Sequence, residues 1–171
     1  MADIVDSKTR SRMMSGIKGK DTLPERLLRT ELHKRGFRYR LHYKDLPGKP
    51  DLVLPRFKAI ILIHGCFWHG HNCHLFKWPS TRPEFWKTKI DSNRLRDQRN
   101  LAIYRERGWR TLTIWECSLK GRTRLGTWQV AEIAARWIQF DSQDADITGA
   151  QAYPALHPTA PAPASPHNHE A

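Results

Sequence analysis

Three cysteines stand in this chain, Cys66, Cys73 and Cys117, and the first two flank a histidine in the spacing Cys66-x4-His71-x-Cys73. Three thiolates and one imidazole complete a closed, tetrahedral, structural zinc site, and this set leaves no cysteine over. The spacing differs from that of common zinc fingers, and His69 and His74 remain rival nitrogen donors. Unrelated buried thiols beside surface histidines are the alternative. The H-x-E and P-C-x-x-C signature of zinc deaminases is absent from the sequence.

Asp51, preceded by Pro50 at the start of a short apolar run, is a second centre. Hydrolysis of a phosphodiester needs a divalent cation to neutralise developing charge, a carboxylate to hold it, and a proton carrier. Asp51 can hold such a cation, and His64 or His69, which bracket the cysteine-rich loop, can move the proton. A Pro-Asp dipeptide alone is more often an ordinary turn. Its weight here comes from the charge around it.

The 171 residues suit one compact domain. Lys and Arg number 29 against 17 Asp and Glu, a net charge of +12. The excess is uneven: residues 141–171 hold no cation and four acids, so residues 1–140 carry +16. A polyanionic partner is expected. The longest apolar run, Ala59 to Ile63, is far short of the ~20 residues that a membrane-spanning helix needs. The N-terminal MADIVDSKTRSR has no apolar stretch of the secretory kind, so a cytoplasmic protein with reduced thiols is expected, with no membrane partner.

Several elements must position these residues. Thr22-Leu-Pro-Glu25 reads as a capping box opening a helix whose stripe is Leu23, Leu27, Leu28 and Leu32, with Gly36 as its stop. FRYRLHYK alternates and predicts a half-buried strand over 37–44. After the LPGKP turn come a short strand at 51–54 and a strand buried on both faces within FKAIILI. Residues 64–80 read as loop, Pro83 to Arg107 as a long helix, WRTLTIW as a strand, and about Thr127 to Phe140 as the last helix. The domain is thus expected to span 1–140 as a small mixed sheet flanked by helices. From Asp141 the Ala- and Pro-rich text predicts a disordered acidic tail.

The segments LPGKPD, HGCFWHGHNCHLFK, TRPEFW and GWRTLTIWEC, with TRSRMM and DTLPE nearer the N-terminus, closely resemble the very-short-patch-repair DNA mismatch endonuclease family of bacteria, over about residues 3–140. The resemblance implies an α/β fold like that of restriction endonucleases, of PD-(D/E)XK type, with an added zinc clamp. It implies a magnesium-dependent nick beside the thymine of a T:G mismatch, the lesion left by deamination of 5-methylcytosine. Carried over, Asp51 binds magnesium together with the backbone carbonyl of Ile63, and His69 transfers the proton. His64 and Glu25 support them, and Cys66, His71, Cys73 and Cys117 hold Zn²⁺. Position 63, usually threonine in that family, is Ile63 here, and no acid or lysine between Ala59 and Gly65 supplies the usual second half of a nuclease metal motif. A zinc-clamped mismatch-binding module without cleavage and a restriction-type nuclease of other specificity are the competing readings.

Seven tryptophans in so basic a chain bear on the same question. Trp109, Trp115, Trp128 and Trp137 fall in strand or helix patterns and are assigned to packing. The resemblance assigns Phe67, Trp68 and Trp86 to intercalation from the major groove and Met14 to a minor-groove wedge. Trp86, Lys89 and Asn93 share a helix face, and Lys and Asn suit base edges. Arg10, Arg12, Lys18 and Lys20 suit phosphates. The expected partner is therefore double-stranded DNA with a T:G mismatch, met by a monomer in the bacterial nucleoid, with other repair proteins following.

Overall fold

The computed structural model of the chain describes Thr9, residues 22–41 and residues 43–149. Met14, Arg10, Arg12, Lys18, Lys20 and residues 150–171 lie outside the described residues, and so does His42.

The elements in chain order are α1 (Leu23–Lys34), β1 (Leu52–Leu54), a 3-10 turn (Pro55–Phe57), β2 (Ala59–His64), α2 (Pro83–Glu106), β3 (Arg110–Trp115), the short α3 (Glu116–Leu119), α4 (Thr127–Phe140) and β4 (Ala145–Ile147). The strands form one mixed sheet in the order β1-β2-β3-β4. β1 runs antiparallel to β2, with Leu52 opposite Ile61, while β2–β3 and β3–β4 are parallel. The parallel step from β2 to β3 is bridged by the 65–82 loop and α2, as parallel neighbours require. β2 is apolar from Ala59 to Ile63, where both faces are covered, and ends in His64. On one face Ile61, Leu112 and Ile114 pack with Leu28 and Leu32 of α1 and Val130, Ala134 and Trp137 of α4. On the other, Ile60 and Leu62 pack with Tyr104 and Trp109. Among the described residues no helix is long and apolar enough to cross a membrane.

Five expectations need correction. α1 turns a different face inward. Leu28 and Leu32 are buried, but Leu23 and Leu27 are exposed, and Glu25 and Arg29 take their places at 6% and 8% exposure. Those charges tolerate burial because they pair, Arg29 Nη2 to Glu25 Oε2 at 3.3 Å. The Thr22 hydroxyl is spent on Glu25 Oε1 at 2.9 Å, not on a backbone cap. Among the described residues of 37–44 there is no strand: a single bridge joins Arg40 to Val53, and Leu41 is exposed where alternation would bury it.

Trp128 is not packed inside; it is exposed, with the Arg35 guanidinium 5.7 Å from its ring. The domain also continues past 140. Asp144 accepts the Thr111 N–H at 2.6 Å and the Arg105 Nε at 2.6 Å, anchoring a three-residue strand whose Ile147 is buried in the core. One apolar side chain with a carboxylate anchor suffices there, so composition made the segment look unstructured.

Candidate functional site

Asp51 stands just before β1, and its Oδ2 accepts the N–H of Ile63 at 2.7 Å. Val53 gives both its backbone groups to Arg40, so by alternation Leu52 and Leu54 face β2, and Ile61 and Ile63 face β1. The carbonyl of Ile63 points the same way as its N–H. Continuing the register sets Pro50 opposite Ile63, and proline has no N–H to take that carbonyl. A carboxylate and a carbonyl that Pro50 cannot bond therefore face the same sheet edge, a donor pair suited to a hard divalent cation. Burial pushes the Asp51 carboxyl up to about 6, against the Ile63 N–H that favours its charged form.

A cleft of about 420 Å³ opens at this edge, lined by Asp51, Glu25, Lys49, His64, His69 and Asp97 among others. His64 and His69 stack face to face with ring centroids 3.8 Å apart. His69 Nδ1 lies 2.5 Å from Asp97 Oδ2. Facing a carboxylate oxygen, Nδ1 is the nitrogen that carries the proton, which leaves Nε2 to exchange one. Burial first, then the neighbouring His69, lowers His64 to about 3, so it is neutral at physiological pH. Glu25, engaged by Thr22 and Arg29, supports the cleft wall as a closed ion pair.

The loop that carries His69 is tied down by α2. Asn93 Nδ2 donates to the Trp68 carbonyl at 2.8 Å, Arg94 Nε to the His69 carbonyl at 3.2 Å, and Arg94 Nη2 to the Gly70 carbonyl. Gly70 has φ +62, and a Cβ there would meet the Arg94 guanidinium, so only glycine lets that side chain cross the turn. Asn93 is buried and committed to the loop, which corrects its expected place at base edges; Lys89 is exposed and faces solvent. Asp97 and Arg29, which line the cleft, and Arg94, which ties down its loop, are site residues that sequence reasoning missed. The inward stripe of α2 is Ile90, Asn93, Asp97, Asn100, Tyr104, at alternating spacings of 3 and 4, and its polar members disguised it as solvated surface.

Phe67, Trp68 and Trp86 form one cluster. Phe67 lies 5.3 Å from Trp68 and 5.2 Å from Trp86 between ring centroids, and all three are half-buried.

Behind the loop, donor atoms of Cys66, His71, Cys73 and Cys117 all lie within 4.8 Å of one another. His71 Nδ1 is 3.6 Å from both Cys66 Sγ and Cys117 Sγ. A tetrahedron with Zn–S near 2.3 Å and Zn–N near 2.0 Å has an S···N edge of about 3.5 Å, so these donors fit that ion. Burial pushes the Cys66 and Cys117 thiols up and lowers His71. The Cys117 sulfur accepts the Gly149 N–H at 3.3 Å, the Cys66 N–H donates to Glu116 at 3.0 Å, and Trp115 stacks on His71 at 4.2 Å. Such outer contacts orient metal ligands. His69 is held by Asp97 and His74 faces Thr123, so neither belongs to the four.

Comparison with known proteins gives the chain its relatives. The family profile "DNA mismatch endonuclease Vsr" matches residues 2–75. The chain is 43% identical over 147 residues to the DNA mismatch endonuclease Vsr of Escherichia coli, covering 86% of this chain and 94% of that protein. It is 44% identical to the type II nicking enzyme V.XorIIP of Xanthomonas oryzae, over 70% of this chain and 88% of that one. The V.NmeAIP nicking enzyme of Neisseria meningitidis is 42% identical over 71% of this chain and 87% of its own.

Proposed function

Because the chain belongs to the Vsr family of DNA mismatch endonucleases, we propose that it nicks double-stranded DNA beside the thymine of a T:G mismatch, on a scaffold of the PD-(D/E)XK type. The observation that carries this reading is the single cleft in which Asp51, the open Ile63 carbonyl and the His69–Asp97 pair converge, next to three clustered aromatic rings.

Asp51 and the Ile63 carbonyl would hold Mg²⁺, which supplies positive charge against the phosphorane-like transition state. His69 Nε2 moves the proton. Asp97 keeps the ring in one tautomer and steadies the imidazolium form, as a carboxylate does for a catalytic histidine. His64, neutral and stacked on His69, shields one ring face from water without adding a competing positive charge. The Ile63 contribution is made by the main chain, so the absent threonine hydroxyl does not remove it. Phe67, Trp68 and Trp86 would wedge into the duplex at the weakly paired step, where unstacking costs least. Cys66, His71, Cys73 and Cys117 would hold Zn²⁺ as a clamp that supports the His69 loop.

The test is a strand-nicking assay with T:G and matched C:G duplexes in magnesium across varied flanks. Nicking confined to T:G duplexes is expected. No product in any T:G context would replace this reading by a binding module, and equal cutting of matched DNA by a restriction-type nuclease.

A further inference from the structure

The aromatic cluster at the loop is larger than the three rings assigned to intercalation. Phe76 lies 6.2 Å from Phe67, Trp78 lies 5.0 Å from Phe76, and Phe85 lies 5.2 Å from Trp86, so six rings form one continuous belt. Its two ends face water, with Trp78 52% and Phe85 47% exposed. A tryptophan left half in water forgoes much of the burial that such a ring ordinarily gains. The surroundings indicate what covers it. Between Leu75 and Ile90 the chain carries Lys77, Arg82, Lys87 and Lys89 against one acid, Glu84, and all five side chains are exposed. The Arg82 guanidinium sits 4.6 Å from the Phe85 ring, so the charge lies directly on the aromatic surface. Arg82 also holds φ +54 immediately before Pro83, a conformation disfavoured for any non-glycine residue and more so before proline.

Aromatic faces interleaved with cations are the composition of a nucleic-acid stacking platform. We infer that Trp78 and Phe85, with Lys77 and Arg82, form a second DNA-contact site that holds nucleotides flanking the mismatch, continuous with but separate from the intercalating rings. The inference rests on the reading of the neighbouring cleft as a DNA nuclease site. Trp78 packs on the sugar and base of a flanking nucleotide, and the two cations take adjacent phosphates.

The experiment measures the affinity of the full-length, zinc-loaded protein for a labelled T:G duplex by fluorescence anisotropy. The Trp78→Ala variant is expected to bind roughly tenfold more weakly, within the range for loss of one stacking ring. Trp78→Phe restores most of that affinity, whereas Trp78→Leu, apolar but not planar, does not. Trp68→Ala is measured beside them. Weaker binding by Trp68→Ala with Trp78→Ala equal to wild type overturns this inference alone. Equal binding by both variants overturns it together with the nuclease reading. If Trp78→Ala changes the association state of the protein and leaves DNA affinity unaltered, the patch joins copies of the chain and the inference fails.

Discussion

Replacement of Asp51 by Asn should remove nicking and, in magnesium-free buffer, raise stability. Burial lifts the carboxyl from its ordinary 3.8 to about 6, so in neutral solution the folded protein holds a charge it would hold more cheaply unfolded. At 1.36 kcal/mol per pH unit that gap is worth about 3 kcal/mol. Asparagine keeps an oxygen for the Ile63 N–H but buries an amide NH₂ lacking a comparable partner, which returns about 1 kcal/mol of the gain. A net stabilisation of about 2 kcal/mol remains, or roughly 4–8 °C in Tm for a chain of this size.

The pH dependence follows from the direction of the shift. A raised carboxylate pKa means the native state binds the proton more tightly than the unfolded state, so the wild type loses stability as pH rises from about 4 to about 6, and no more above that. The advantage of Asp51→Asn should therefore be full at pH 8 and clearly smaller at pH 5. Thermal unfolding of zinc-loaded wild type and variant, at both pH values without magnesium, measures it. Added magnesium should then raise the wild-type Tm and leave the variant unmoved. A variant no more stable than wild type at pH 8, or a gap independent of pH, would refute the account of Asp51 as a strained, desolvated carboxylate.

Three other outcomes are expected. Asp97→Asn should lower single-turnover nicking about 10²–10⁴-fold with DNA affinity retained, since it disturbs the tautomer and charge of His69 and not the binding surface; an unchanged rate would detach Asp97 from the chemistry. Arg94→Ala should lower kcat more than it alters KM by releasing the carbonyls of His69 and Gly70, with partial recovery in Arg94→Lys, as steady-state kinetics would show. Asp144→Ala orphans the buried Thr111 N–H and should cost about 1–3 kcal/mol in denaturant unfolding. Burial opposes ionisation of Asp144, but hydrogen bonds from Arg105 and Thr111 outweigh it and hold the carboxyl below its ordinary value. Its contribution is thus complete above pH 4 and fades as pH falls further.

What was legible in the sequence was what announces itself by period or by reactive type. The last helix, the long helix and the buried β2 strand stood where periodicity put them, and the four metal donors, Asp51, His64 and His69 came together as their chemistry demanded. What was hidden depended on partners remote in the chain. Glu25 read as half of a capping box and as a support for the site, and nothing local showed that pairing with Arg29 would let both be buried. Asn93 read as a base-edge contact and Asp97 drew no reading, because nothing local shows that a loop some 25 residues earlier would lean on them. The strand at Ala145–Ile147 owes its place to one carboxylate reaching Thr111, which no local pattern reports.

The 24-residue helix α2 carries at one end Trp86, in the aromatic cluster, and two to three turns on Asn93, Arg94 and Asp97, which grip the loop and ring of His69. Trp86 and Asp97 are separated by about 16 Å of uninterrupted helix at 1.5 Å per residue. In mechanical terms this rod is a lever, which on the proposed function sets the lesion at one arm and the proton carrier at the other. A duplex that resists the wedge would then push on the same element that aims His69, coupling fidelity to turnover in a single part. Selection on either one, natural or in the laboratory, would drag the other with it.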